Sequence, residues 1–538
     1  MSDIVTGEHV VNKAPYQVAE TIDMFAAINK LAKNDLLELL ERKHAEYDLW
    51  NSHWETMGDV ALNRVDSVKK RKRYLVEGAS EEDQHFDERA NLSQFLPETP
   101  MLLSDFVGTV FNKSVQREIP SRATVKLEAF VGAADSEGNA LDIVSEKAAE
   151  LALVFGSVDA FLDHPLGEKT TEPYITLYTP DKRLDWQAGQ NGFKWVKYRE
   201  KYWDKPFWTD KPRLITEYRI VGRLSILTYR TYEAENKTVI EVLDGLTGQW
   251  ASLDEAATMV RDMPDHGFPE TPVVTLYWNQ LQVGIGDPWV KPLVHADIKV
   301  FRQESDITWD IFVHAHPWVA AWLHKGEQGE ASPLDRIKLG ANWAMHLDPG
   351  ISGDRNAEDM KYIAPDSAEL ELQLKAASDT RELVRRMSGS GVDMTRDEQT
   401  PESGVALAYR QAEKSKNFAT LARGLAEWEW KIFELVMSEG NATLVNVDGL
   451  EIKYPDRFDV RSKMELDVDR KSASDIGSPT LVKAVNKIQV PALLGTSSTP
   501  ELIRMINDEI DNAEDVEYEE YDDDEKVLDK EEDKNDFT

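Results

Sequence analysis

The sequence predicts an α+β fold, on three observations. Between about 171 and 278, β-branched and aromatic residues recur with a period of two, in runs such as Tyr174-Ile175-Thr176-Leu177-Tyr178, bounded by turn residues. On both sides of that region the apolar period changes to that of a helix. The strongest helical signal lies at 403–438, where Phe418, Leu421, Ala422, Leu425, Trp428, Ile432, Leu435 and Val436 form one apolar stripe. Unbroken, that helix is roughly 54 Å long.

The elements follow in chain order. Residues 1–30 are polar and weakly patterned, an arm or short helices. Helical patterning strengthens over 34–54 through Leu36, Leu37, Leu40, Tyr47, Trp50 and Trp54. Lys69-Lys70-Arg71-Lys72-Arg73 is the one dense basic cluster; a salt-bridged or solvated face is a better reading of it than a nucleic-acid patch. Helices are predicted over 82–94, 100–111 and 140–153, followed by a strand and turn at 154–165. The period-two region predicts one sheet of about five hairpin-joined strands, at 174–178, 214–221, 224–232, 238–243 and 273–278. The Trp-rich stretch 186–208 between them reads as a long loop packed over the sheet.

A helix is predicted from about 292 to 316, with Ile298, Phe301, Ile307, Ile311 and Phe312 on its apolar side. Short, Gly- and Pro-punctuated pieces at 318–364 predict a compact subdomain. Leu370, Leu374, Ala377, Val384 and Met387 mark a further helix, and Gly389, Gly391 and Pro401 break the pattern into an exposed loop before residue 403. Gly440 reads as the glycine that ends the long helix. A small hairpin is predicted at 445–454 and 458–466, then short helices at 480–487 and 501–510. The last segment, 511–538, holds fifteen Asp and Glu against three Lys, a net of −12, which predicts a solvated tail.

Composition narrows the chemistry. With 538 residues, 41% of them hydrophobic, the chain buries a sizeable core divided into several regions. It contains no cysteine, so disulfides, thiol nucleophiles and cysteine-ligated metals are excluded. The start M-S-D-I-V-T-G-E-H-V predicts no secretory signal, and no apolar run predicts a membrane span, so a soluble protein is expected. The net charge of −36 argues against binding that depends on neutralising phosphates. It is compatible with a wall along which nucleic acid slides without sticking.

No P-loop, G-x-S-x-G elbow or H-E-x-x-H is present. The S-G-S-G at 388–391 lacks the strand and spacing of a dinucleotide fingerprint. His314 and His316 stand two apart near a helix end, so satisfied or exposed histidines are a better reading than metal ligands. Asp522, Asp523 and Asp524 lie in the tail, without a rigid second shell to hold a cation. These readings predict a non-enzyme, with no cofactor and no metal.

In their order, several segments resemble the portal protein, or head-to-tail connector, of tailed bacteriophages. P-M-L-L-S-D-F-V-G-T-V-F-N-K-S-V-Q-R-E-I-P (100–120) resembles the segment of one portal subfamily that leads to G-x-V-F-x-K-x-P. G-S-V-D-A-F-L-D-H-P (156–165) and E-P-Y-I-T-L-Y-T-P-D-K-R-L-D-W (172–186) resemble that subfamily's wing. P-E-S-G-V-A-L-A-Y-R (401–410) is similar to the S-G-x-A-L that opens its long helix. The resemblance covers about 45–510.

What the resemblance implies is a portal fold: an arm and mixed helix/strand wing (1–287), a two-helix stem (288–317 and 365–387) and a small clip (318–364). A tunnel loop (388–402), a long bracing helix (403–439), a helical crown (440–510) and the acidic tail (511–538) complete it. It further implies a dodecameric homo-oligomer at one capsid vertex of the virion, assembled in the host cytoplasm, without a membrane. Double-stranded DNA would pass through it during packaging and ejection. Its partners would be the major capsid protein, the terminase large subunit and head-completion adaptor or tail proteins.

Candidate channel residues are Arg381, Arg385 and Arg386 before the loop, and Ser388, Ser390, Asp393, Thr395, Arg396 and Gln399 within it. For the three arginines, ion pairing between neighbouring subunits is favoured over phosphate contact. Asp297 and Lys299 depart from the family's pattern in the first stem helix. The alternatives are another phage structural component, such as a capsid or baseplate scaffold, and a hydrolase with an acidic site.

Overall fold

The computed structural model describes residues 28, 31–79, 81–164, 172–189, 192–205, 212–223, 225–234, 237–243, 249–253, 266–314, 318–322, 344–347, 360–363, 367–387, 404–455, 483, 486–487 and 500–512. The chain forms two units, Met1–Phe458 and Asp459–Thr538.

The first unit opens with α1 (Lys33–Glu41), α2 (Tyr47–Ala61), α3 (Val68–Tyr74), α4 (Asp83–Leu92) and α5 (Thr99–Val110). The short β1 (Gln116–Glu118) precedes α6 (Thr124–Gly132) and α7 (Leu141–Phe155). The strands β2 (Ser157–Asp163), β3 (Tyr174–Tyr178), β4 (Arg183–Ala188), β5 (Phe193–Asp204), β6 (Arg213–Gly222), β7 (Ile226–Ala234), β8 (Lys237–Leu243), β9 (Trp250–Ser252) and β10 (Val273–Tyr277) follow. A small ribbon of β11 (Gln280–Gln282) and β12 (Ile285–Gly286) leads to α8 (Lys291–His314). Then come β13 (Trp318–Trp322), β14 (Ala344–Leu347), β15 (Met360–Ile363), α9 (Ser367–Met387), α10 (Gly404–Ser438) and β16 (Glu451–Lys453). In the second unit the described helix is α11 (Pro500–Asn512).

The strands form two sheets where the sequence predicts one. β4 to β9 make a six-stranded antiparallel meander in chain order. β3 and β10 instead flank β2 in a three-stranded sheet. The physical reason is β2 itself, whose residues 157–162 are all buried and so suit a central position. The predicted loop at 186–208 is also corrected, because most of it is the hairpin β4–β5. Its alternation is hidden by interspersed charges and by Lys197, which points inward and donates to the carbonyls of Leu39 and Arg42 at 2.7 and 2.6 Å.

The predicted hairpin at 445–466 is corrected as well: β16 pairs antiparallel with β1, and 458–466 lies outside the described residues. Between α8 and α9, β13 lies between a parallel β14 and an antiparallel β15.

Two glycines do work that other residues cannot. Gly156 ends α7 with φ of +83°, and a Cβ on it would lie 2.2 Å from the Gly286 carbonyl oxygen. The two backbones touch, which ties the start of β2 to β12. Gly440, with φ of +76°, ends α10 as predicted.

One contiguous apolar core runs from Trp54 and Met57 on α2, through Phe130, Phe155 and Phe161, to Trp428 and Phe433 on α10. The predicted stripe of the long helix is its floor: Leu421, Ala422, Leu425, Trp428, Ile432, Leu435 and Val436 are buried, and Phe418 packs against them half-buried. On α9 the stripe is only partly covered. Ala377 and Val384 are buried, whereas Leu374 is 49% exposed and Met387 40%.

Candidate functional site

The predicted channel segment begins where α9 ends, against α8. Leu293 on α8, Val384 on α9 and Leu102 on α5 form a small apolar cluster that joins the three helices. Around it, charged groups set the direction of the last turns of α9.

Arg385 donates through Nε and Nη2 to both carboxylate oxygens of Glu98, each at 2.7 Å. The Glu98 carboxylate holds the Arg385 guanidinium above its usual range, against the opposing effect of burial. Arg381 donates to Glu304 on α8 and stands 4.0 Å from Glu98. Arg386 is largely exposed and pairs with Glu382 one turn earlier. Arg381, Arg385 and Arg386 thus each have a carboxylate partner within their own chain. Ser388, Ser390, Asp393, Thr395, Arg396 and Gln399 lie outside the described residues.

Glu98 is itself held. Its backbone N–H donates to Asp297 Oδ1 at 3.2 Å, while Thr99 donates to Oδ2 from its backbone at 2.9 Å and from its hydroxyl at 2.5 Å. Asp297 thus caps the start of α5, satisfying donors that a helix leaves unpaired. Burial raises its carboxyl above the usual range, and the Thr99 hydrogen bonds restrain that rise. Asp297 is therefore a support: it fixes Glu98, and Glu98 fixes Arg385. Nearby, Arg89 joins α4 to α8, bonding Glu81 at 2.8 Å and Ser305 and Asp306 at 3.2 Å.

A second buried cluster anchors α10. Glu429 has no exposed side-chain surface and lies in the apolar stripe, one turn after Leu425. It receives Arg117 from β1 in two bonds of 2.8 and 2.9 Å, Ser145 from α7 at 2.7 Å and the Tyr454 hydroxyl at 2.5 Å. Burial lifts the Tyr454 hydroxyl well above its ordinary range, reinforced by the Glu429 charge. Arg117 also pairs with Asp142 at 2.7 Å.

A third cluster joins the two sheets. Asp159 of β2 lies 3.0 Å from Arg183 Nε of β4 and accepts from Tyr198 at 2.9 Å and Thr275 at 2.7 Å. Arg183 also donates to the Gly284 carbonyl at 2.5 Å. Each of these carboxylates is occupied by donors from other elements, so their chemistry is positional.

None of the three clusters is predicted by the sequence. The available signal was a lone acid inside an apolar stripe, as with Glu429 among Leu425, Ile432 and Val436, or Asp297 beside Val294, Ile298 and Phe301. The basic cluster resolves toward its salt-bridged reading: Lys70 pairs with Asp59, Lys72 with Asp87 and Arg73 with Glu55, while Arg71 donates to backbone carbonyls of Asn91 and Ser93. His316 and the acids Asp522, Asp523 and Asp524 lie outside the described residues, and His314 is the last residue of α8. Among the described residues no group of three or more His, Asp or Glu is disposed to hold a metal ion, and no helix is long and apolar enough to cross a membrane.

No protein family and no curated protein matches the chain. Among solved structures, one similar chain belongs to a virion of a native gene transfer agent particle, with a TM-score of 0.33 and 14% identity over 77% of this chain and 95% of that one. Another belongs to the neck of the native particle computed with C12 symmetry, with a TM-score of 0.33 and 12% identity over 77% and 89%. A third belongs to the neck of an empty particle computed with C6 symmetry, with a TM-score of 0.34 and 13% identity over 77% and 95%. At these values the likenesses establish neither a fold nor a role for this chain.

Proposed function

We propose that the chain is a phage portal protein, a subunit of the ring-shaped DNA channel at one capsid vertex, used in genome packaging, head–tail joining and DNA ejection. The observation that carries this reading is the succession α8, β13–β15, α9 and α10, in the order the sequence resemblance implies. Two helices packed on each other flank a small sheet in chain order, and residues 388–403 then lead into a 35-residue helix. The Glu429 cluster supports it further, because a long helix clamped at its C-terminal half can brace a loop at its other end. The −36 net charge suits a conduit that must not grip a polyanion. On this reading the chain works by geometry and electrostatics, and its partners are further copies of itself, duplex DNA, the capsid, the terminase and the adaptor or tail proteins.

Electron microscopy of the purified protein tests it. Closed rings of about twelve copies with a hole wider than a DNA duplex (roughly 20 Å) are expected; a monodisperse monomer overturns it. Deleting residues 390–399 is expected to leave ring assembly intact and to impair DNA packaging or retention in infected cells.

A further inference from the structure

On α8, Lys291, His295, Lys299 and Arg302 follow one another at four- and three-residue spacing, so all four lie on one face of the helix. They span about 17 Å. His295, Lys299 and Arg302 are exposed, and Lys291 is half-exposed. The chain has 98 acidic residues against 62 basic ones, so a cationic stripe runs against its overall charge.

Little within the protein neutralises that stripe. Lys299 has no hydrogen bond or ion pair among the described residues. Arg302 donates through Nε to the Tyr74 carbonyl at 2.8 Å, which leaves its terminal nitrogens without a partner among the described residues. Lys291 reaches Asp287 only at 3.5 Å, and both side chains are about two-fifths exposed. Burial lowers the His295 imidazole below its ordinary range, and the charges that add to this effect are His53 of α2 and Lys291, both on the cationic side. The α2 acids are engaged elsewhere: Glu55 by Asn51 and Arg73, Asp59 by Lys70 and Tyr74. Asp306, one turn beyond Arg302, accepts from Arg89 at 3.2 Å and ends the basic run.

We infer that this face of α8 is a contact site for the phosphate backbone of duplex DNA. The choice of DNA over an acidic protein rests on the reading of the chain as a DNA conduit; the stripe itself does not. Along the duplex axis one strand presents about five phosphates in about 17 Å, so each of the four positions has a phosphate within reach. Lysine meets a phosphate as a point charge, and arginine meets it through the terminal nitrogens that Arg302 keeps open. An anion seated there also relieves the crowding of positive charge around His295. Only Lys291, Lys299 and Arg302 are permanently charged, and the rest of the chain repels DNA, so the contact is weak and local. It guides a passing duplex without arresting it.

The test uses the full chain at pH 7 and a fluorescein-labelled duplex of about 20 base pairs, followed by fluorescence anisotropy at salt concentrations from about 20 mM to about 200 mM. Saturable binding is expected at the lowest salt. With three cations engaged, the logarithm of the association constant should fall against the logarithm of salt with a slope of about −3. Lys291→Gln/Lys299→Gln, two surface changes that leave the Arg302 bond to Tyr74 in place, should bring the slope to about −1 and weaken binding at the lowest salt at least tenfold. A Lys201→Gln/Lys237→Gln variant, with the same charge change on β5 and β8, should bind as the parent does. Absence of saturable binding, an unchanged slope in the α8 variant, or equal weakening by the sheet variant each overturns the proposal. Competition by polyglutamate as strong as that by unlabelled duplex would give the stripe to an acidic protein and overturn it as well. Rings that form but bind no duplex through the stripe overturn this contact alone, whereas a monomer that binds duplex through it supports the contact and overturns the ring.

Discussion

Glu429 shows what single residues do in this molecule. A carboxylate in the apolar stripe is costly to desolvate, and it is tolerated because Arg117, Ser145 and Tyr454 saturate it. Glu429→Ala, which leaves Arg117 buried with fewer partners, is expected to cost about 3–5 kcal/mol in urea denaturation. The double change Arg117→Met/Glu429→Leu should recover most of that loss; if it is as unstable as the single variant, the pair contributes more than its own desolvation. Lys197 makes a pH prediction. Burial lowers its pKa to about 8 from 10.5, against the attraction of Asp185. Between those values the unfolded chain holds the proton and the folded chain does not, so stability rises with pH in that window. About 2 kcal/mol should be gained between roughly pH 7.5 and 9.5, and the Lys197→Met variant should lack that increment. Neither role was legible in the sequence, where Glu429 only interrupts a stripe and its partner Arg117 stands 312 positions away.

At the scale of elements, legibility followed the length of the pattern. The long helix, expected at 403–438 and found as α10, and the helix expected at 365–387 and found as α9, each repeat their apolar spacing over many turns. β4 and β5 escaped notice because Lys197 and Arg183 occupy inward positions where an apolar residue is the usual signal. Division of the strands between two sheets was equally hidden, since pairing of β2 with β3 and β10 is a long-range choice. The contact of Gly156 with Gly286 yields a direct test. Gly156→Ala combines a left-handed backbone with a clash at 2.2 Å, and should cost about 2–4 kcal/mol, read as a lowered Tm. A smaller loss is expected for Asp297→Ala, about 1–3 kcal/mol, because the start of α5 loses its cap. If Arg385 then loses its fixed position, cleavage by trypsin near the end of α9 should quicken.

For the whole molecule, charge dominates. Copies of a chain carrying −36 repel one another, and salt screens that repulsion. If the proposed ring forms through apolar and short-range contacts, sedimentation should show its share rising between about 10 mM and about 200 mM salt. A falling share would mean that ion pairs between copies hold it together. The composition made this scale legible from the outset, because net charge needs no folding to be counted.

The strut from Asp297 through Glu98 to Arg385 has one more consequence. It gives the chain that leaves Met387 a surveyed point of departure, and Gly404 opens the helix that receives it. Sixteen residues lie between Met387 and Gly404, so the end of α9 and the start of α10 stand no farther apart than about 60 Å.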